Sequence, residues 1–364
     1  MRKKLLLGFL VDGKSGGTDI YIMNLIDSLY KEYDIEVLCN IQSDFLDGYI
    51  ESRGMKCHYI SGLDHFFQQY SQLNRIISKG KFDISYLNAS TAVMIFMPFL
   101  SWIYKIPVRV VHSHSSGIDE KNKIKRKIIY ILHLLGKQLL FVLSNRYFAC
   151  SVHAGKWMFP KKVVEHSGKF KVIPNPIDIE KYVYNADKHY QMKMDVKDSI
   201  ILGHVSNYQQ VKNPQFLIDV LHELIQRKKQ VKLLLIGDGN EKNAILQYAQ
   251  QLGVRNHIID KGYQKDPSDY YQMMDFFLLP SFFEGFPIVA IEAQAAKLPC
   301  LLSDRITRDV KMTKEMVFLP IEDVKQWADV IIEKYPYERD SVCVSDTICR
   351  YDKKNFKKEI VELL

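Results

Sequence analysis

Short, nearly continuous apolar runs recur along the chain, separated by stretches in which apolar residues return every three or four positions. In the first half the runs are residues 5–11, 35–39, 56–60, 84–87, 108–112, 147–150 and 171–173. Runs of this kind predict strands buried on both faces, and the stretches between them, such as 20–30 and 125–143, predict helices. A polar interval without periodicity, residues 182–198, predicts a structureless connection, after which strands restart at 200–205, 232–236, 257–259, 276–279 and 300–302. Strands alternating with helices predict parallel sheets with right-handed crossovers. The repeat of the pattern predicts two doubly wound α/β domains.

Length agrees, since one core seldom grows beyond about 250–300 residues and the chain has 364. Six cysteines, Cys39, Cys57, Cys150, Cys300, Cys343 and Cys349, are scattered without a C-x-x-C pair. That pattern points to reduced thiols in a cytoplasmic compartment and to no metal site. The basic start MRKK leads into an apolar run that reaches only Val11 before meeting Asp12, so a first buried strand is expected rather than a leader. The stretch from Ile128 to Ser144 is interrupted by His133, Gly136 and Lys137 and falls short of the ~20 residues of a membrane span.

Charge changes the picture locally. Residues 1–180 hold 24 Lys+Arg against 16 Asp+Glu, whereas the remainder is balanced at 26 against 26. The densest part, KNKIKRK from Lys121 to Lys127, runs directly into the apolar stretch. Such a sequence is a signature of an anionic membrane surface; a solvated helix start feeding a buried core helix is the alternative. No nucleic-acid partner is expected.

Candidate chemistry clusters where strands end, the place where ligands of doubly wound sheets bind. PSFFEGFPIVAIEA, residues 280–293, carries Glu284 and Glu292. Residues 286–296 predict a mostly buried helix starting near Gly285, with Pro287 suited to its first turn. Treated as helical throughout, the stretch sets the carboxylates roughly 12 Å apart, beyond the ~5–9.5 Å of a glycosidase pair. Two separate hydroxyl groups of one long ligand fit better, with a helix N-terminus between them to attract anionic oxygen. An N-capping glutamate and a second at a helix edge is the structural alternative.

Gly16 and Gly17 sit before the first helix, where backbone can approach a phosphate or simply turn. RVVHSHSSG places His112 and His114 at the end of the fifth run, pointing to the same side; a third metal ligand is lacking. Either a hydrogen-bond partner for a substrate or a satisfied structural histidine would serve there. Lys212 precedes a helix opening near Pro214, within reach of a diphosphate. Gly237 and Gly239 read as a tight turn, and Gly262 with Tyr263 as a rim for a nucleobase.

In order, Gly16-Gly17, VHSHSSG, FACSVHAGKWMF, VIPNPID, GHVSNY with VKN, LIGDG and LLPSFFEGFPIVAIEAQAAKLPCLLSD resemble glycosyltransferase family 4, retaining enzymes of GT-B fold. More narrowly they are similar to bacterial members that build capsule, exopolysaccharide or other surface glycans. The resemblance covers most of the chain, and Glu284-x7-Glu292 in its surrounding string is its most specific element. It implies two Rossmann-like domains facing across a cleft: an acceptor domain over 1–180, a donor domain over 181–345, and a C-terminal helix over 346–364 packing back towards the first.

Residue roles follow from the resemblance alone. Glu284 would hold the donor sugar's hydroxyls and Glu292 the ribose hydroxyls. Gly285, Phe286, Pro287 and Ile288 would offer backbone to the diphosphate and sugar, Lys212 would offset its charge, and Gly17 would bring the first domain's backbone to the same phosphates. His114 would sit beside the sugar's reacting face, making His114 and Glu284 the catalytic candidates. The implied donor is a nucleotide diphosphate sugar, of the UDP type, with no metal and no further cofactor. The implied acceptor is a glycan or lipid-linked glycan, met at the inner face of the membrane by a cytoplasmic, peripheral protein.

One position departs from the family. An arginine usually lies five residues before the lysine, and here Asn207 stands there, able to donate hydrogen bonds but carrying no charge. It motivates a second reading, a non-catalytic partner subunit of the same fold. A nucleotide-sugar epimerase is the third.

Overall fold

A computed structural model describes residues 2–13, 16–120 and 122–364. Lys121 therefore lies outside the described residues. The chain forms two compact units, residues 1–176 with 353–364, and residues 177–352. The expected first boundary at 180 falls at 176, and the return to the first unit begins at 353 rather than 346.

The first unit is built on seven parallel strands, β1 (Lys4–Leu10), β2 (Asp34–Cys39), β3 (Lys56–Tyr59), β4 (Ile84–Ala89), β5 (Val108–Ser113), β6 (Arg146–Ala149) and β7 (Phe170–Val172), in the order 3-2-1-4-5-6-7. Both faces are covered. Along β1, Leu5 and Leu7 join one core with Tyr21, Leu25 and Val37, while Leu6 joins the opposite core with Leu38, Leu87 and Val111. That is why the strands read as continuous apolar runs rather than as alternation. Phe356 and Ile360 of the final helix, Lys353–Leu363, enter the first of these cores, and Lys357 pairs with Glu32 at 2.9 Å.

The second unit carries six strands, β8 (Ile200–Val205), β9 (Val231–Ile236), β10 (Ile258–Asp260), β11 (Phe276–Leu279), β12 (Cys300–Ser303) and β13 (Met316–Leu319), in the order 10-9-8-11-12-13, again parallel. In each unit the strand order reverses beside the unit's first strand, between β1 and β4 and between β8 and β11. These are the switch points at which doubly wound sheets bind ligands, outside the strands' carboxyl ends.

Three expectations are corrected. The interval 182–198 is structured: helix Ala186–Lys193 is capped by Asn185, whose Oδ1 accepts from Lys188 N at 2.9 Å. It is held by polar contacts, Lys193 Nζ to both oxygens of Asp275 at 2.7–2.8 Å and His189 Nδ1 to the Gln272 carbonyl at 2.6 Å, so it carries no apolar stripe to reveal it. Edge strand β13 is too short a run, four residues between Glu315 and Pro320, to stand out. Helix Lys123–Leu143 is no core helix, since only His133, Gly136, Leu140 and Leu143 are buried.

Candidate donor and sugar sites

In the second unit the segments leaving β8 and β11 lie on either side of the switch point. The chain after β8 follows a narrow course, made by its neighbour after β9. Gly237 has φ +124°, and a Cβ there would come within 1.8 Å of the Ser206 carbonyl oxygen. Only glycine permits that approach. Tyr208 N donates to the Asp238 carbonyl at 2.9 Å, and its ring is fully buried. Gly237 and Gly239, expected as a tight turn, thus also let one loop shape the other.

Lys212 is delivered by this course. Its Nζ lies 2.8 and 2.9 Å from the two carboxylate oxygens of Glu284, and Ser281 Oγ donates to Glu284 Oε1 at 2.7 Å. Phe282 N donates to the Val211 carbonyl at 2.8 Å, tying the two loops together behind the pair. Glu284 therefore lies in the loop after β11 and not on a helix: the helix expected over 286–296 spans Ile288–Ala295, with Pro287 preceding its first turn. In that turn Ala290 N donates to the Pro287 carbonyl at 3.0 Å, and a helix N-terminus of this kind favours anionic oxygen beside it. Phe286 stacks on Tyr351 at 5.1 Å between ring centroids and is buried, so its side chain packs rather than facing a ligand.

Glu292 lies inside the same helix, buried, where Tyr182 Oη donates to Oε1 at 3.1 Å and Tyr271 Oη to Oε2 at 2.6 Å. Burial raises its pKa, and the two tyrosine hydroxyls oppose that rise by hydrogen-bonding the charged form. Each oxygen keeps acceptor capacity for a further hydroxyl. Neither tyrosine was visible to sequence reasoning, because each comes from a distant polar segment without motif. His204, also missed, is fully buried on β8 between the Leu278 carbonyl and Ser206 Oγ, both at 2.8 Å. Burial holds its pKa down at about 4, so it is neutral at pH 7.

Asn207 follows β8 half-buried, and its side chain makes no hydrogen bond among the described residues. At the next strand end Gly262 has φ +64°, and its carbonyl accepts from Gly237 N at 2.8 Å. Tyr263 stands out at 56% exposure. Lys242 pairs with Asp260 at 2.9 Å beside them.

The first unit brings together its own set. Helix Gly16–Leu29 includes the two glycines expected to precede it, with Gly16 at φ +82°. Asp19, unmarked in the sequence, accepts from the backbone of Val11, Asp12 and Gly13 at 2.8–3.2 Å and so fixes the turn after β1. Beside Gly17 there is room: a Cβ would meet only Asn175 Nδ2, at 3.8 Å.

His114 follows β5, with Nε2 2.9 Å from Asn88 Oδ1 at the end of β4. Its Nδ1 and the Oδ1 of Asn175 are buried and unpartnered. Burial holds the ring's pKa at about 3, so the imidazole is neutral. His112 stacks on it at 4.2 Å, the same-side placement that the two-residue spacing requires, but is itself fully buried and bonded through Nδ1 to Tyr86 Oη at 2.8 Å. Tyr86 Oη in turn meets Tyr21 Oη at 2.8 Å. Of the two histidines, His112 is thus the structural one. Among the described residues no three His, Cys, Asp or Glu side chains gather as a metal site would need.

Residues 188–333 match the family model described as glycosyl transferases group 1. Over 353 residues the chain is 28% identical to EpsF of Bacillus subtilis (strain 168), designated a glycosyltransferase, covering 90% of this chain and 87% of that protein. Over 285 residues it is 21% identical to the Escherichia coli UDP-Gal:alpha-D-GlcNAc-diphosphoundecaprenol alpha-1,3-galactosyltransferase, covering 75% and 72%. The crystal structure of Anabaena HepE in complex with UDP and glucose superposes with a TM-score of 0.78 at 17% identity, covering 100% of this chain and 99% of that one. The family match lies within the second unit, the relatives span most of the chain, and the two doubly wound parallel sheets are those of the GT-B fold.

Proposed function

We propose that the protein is a retaining, metal-independent glycosyltransferase that moves a hexose-type unit from a UDP-sugar to a lipid-linked or surface-glycan acceptor during polysaccharide biosynthesis. The observation that carries this reading is the pairing of Lys212 with Glu284 beside the first turn of helix Ile288–Ala295, at the switch point of the second sheet. In transfer the bond from the anomeric carbon to the diphosphate oxygen breaks, and the acceptor oxygen bonds the same carbon on the same face. The acceptor's proton leaves with the diphosphate. Negative charge grows on that leaving group, and fixed donors facing it are the main electrostatic means of lowering the barrier. Lys212 and the helix N-terminus supply them, Glu284 takes the sugar hydroxyls, and Glu292 takes the ribose hydroxyls alongside its two tyrosines. Neutral His114 acts as a hydrogen-bond partner of the sugar.

Support for UDP and for a lipid-linked acceptor comes from the relatives' names, which speak of UDP, of UDP-Gal and of a diphosphoundecaprenol acceptor. One observation favours the second reading: with Asn207 unpartnered and uncharged, Lys212 is left as the side-chain cation of its loop, as in a subunit that binds donor without turning it over. Release of UDP from UDP-sugars in the presence of membrane-extracted acceptor separates the two. Glu292→Ala should raise the nucleotide's Kd and Glu284→Ala should mainly lower turnover. Donor binding without release in any acceptor fraction would favour the partner subunit.

A further inference from the structure

Helix Lys123–Leu143 is fastened to the first unit by one side only. A Cβ at Gly136 would fall 2.1 Å from the Ala92 carbonyl oxygen, and Ala92 N donates to His133 Nδ1 at 3.0 Å, so the face bearing His133, Gly136 and Leu140 is pressed onto the loop after β4. The opposite face is apolar and bare. Ile124, Ile128, Ile131, Leu135, Leu139 and Val142 follow one another at three- and four-residue spacing, the stripe of one helix face, and Ile124, Leu135 and Val142 are 74%, 62% and 60% exposed. The helix is roughly 30 Å long. A water-facing stripe of that extent marks an interaction surface.

The surface continues sideways. Helix Phe96–Ile103 packs against both Lys123–Leu143 and helix Phe66–Gly80, and it ends in exposed Trp102 and Ile103. Phe67 stands 86% exposed at the start of Phe66–Gly80. None of the three helices contains an Asp or Glu, while Arg75, Lys79, Lys123, Lys125, Arg126, Lys127 and Lys137 lie on them. Lys125 pairs with Glu120 at 2.8 Å; Lys123, Arg126 and Lys127 make no ion pair among the described residues.

We infer that the outward face of Lys123–Leu143, extended by Trp102 and Phe67, is the surface by which the protein lies on an anionic lipid leaflet, the helix in the plane of the interface and its stripe sunk among the acyl chains. Charge selects this occupant. A second copy docked face to face would set these cations against their own kind with no carboxylate on the three helices to answer them, whereas an anionic leaflet attracts nearby Lys and Arg and accepts the apolar stripe at once. Among the described residues no helix is long and apolar enough to cross a membrane, so the contact is a docking one. The inference deepens the proposed use of a lipid-linked acceptor, yet vesicle binding requires no turnover.

The test is co-sedimentation of the full chain with vesicles of phosphatidylcholine plus phosphatidylglycerol against phosphatidylcholine alone, without donor. Wild type should prefer the anionic vesicles and lose most of that preference in high salt. Ile131→Gln with Leu135→Gln should weaken partition on the order of 100-fold, and Lys123→Gln with Arg126→Gln and Lys127→Gln should weaken it to a similar degree on anionic vesicles only. These exposed substitutions should leave the melting temperature and any UDP-induced shift unchanged, which keeps this test separate from that of the donor site. No vesicle binding by wild type, or equal binding by the Ile131/Leu135 variant, overturns the inference. So does a concentration-dependent dimer that the same variant disperses, since the face would then belong to a second copy.

Discussion

Lys212 Nζ sits 2.8 and 2.9 Å from the two oxygens of Glu284, with the carboxylate only 9% exposed. Taking this half-buried cation away leaves the buried carboxylate without its counter-ion, at a cost of up to about 3 kcal/mol. Lys212→Ala should therefore lower stability in urea titrations, and adding Glu284→Leu should recover most of the loss by removing the stranded charge. If Lys212→Ala alone leaves stability unchanged, the pair does not form in solution.

Two glycines give opposite expectations. Gly237→Ala forces a Cβ to within 1.8 Å of the Ser206 carbonyl oxygen at φ +124° and should cost several kcal/mol (~3 or more) of stability. Gly17→Ala meets only Asn175 Nδ2 at 3.8 Å and should fold as well as wild type, because alanine favours the helix by up to about 1 kcal/mol. If Gly17 brings backbone to a phosphate, turnover should fall although stability does not. Full activity in Gly17→Ala would remove it from the donor site.

Acid should loosen both units through buried imidazoles. His114 and His204 titrate at about 3 and about 4 in the folded chain, lowered by burial from 6.5. A depressed histidine is neutral in both states above pH 6.5, so stability is whole there. Below it the unfolded chain binds protons first, and stability falls as pH drops towards 3–4, by up to about 1.4 kcal/mol per histidine per pH unit. Melting temperature should be level from pH 8 to 7 and decline from pH 6.5 to 5, less steeply in His204→Gln. A flat profile over the lower range would contradict the burial of these rings.

Asn207 decides between a slow enzyme and a subunit without turnover. Its side chain follows β8 half-buried and without a hydrogen bond among the described residues, so Asn207→Arg adds a cation with nothing to displace. A charge-assisted contact to the leaving diphosphate is worth about 1.5–3 kcal/mol, about 10- to 100-fold in rate. Steady-state assays of UDP release should show a rise of that order in an active enzyme. No UDP release by either protein, with donor binding intact, would mark a subunit without turnover, and release that does not rise would mean that position 207 does not face the phosphates.

The strands were legible because both faces of each sheet are covered, which turns every inner strand into an apolar run such as Leu5–Leu7. Residues at strand ends, Lys212, Glu284, His114 and Asn207, could be placed for the same reason. Hidden were features made by distant partners. Tyr182 and Tyr271 meet at Glu292 only after folding, Asp19 takes up the N–H groups of a turn seven residues before it, and Ala186–Lys193 is held by Asp275 and Gln272 rather than by an apolar stripe. The two-residue spacing put His112 and His114 on one side, yet only packing shows that His112 is sealed behind Tyr86.

Calorimetric titration of UDP into wild type, Lys212→Ala and Glu292→Ala most directly tests the donor site in the second unit. The account predicts measurable binding by wild type and a Kd raised about 10- to 100-fold in each variant, the loss expected when a charge-assisted contact is removed. Absence of binding to wild type, or one Kd shared by all three proteins, would contradict it.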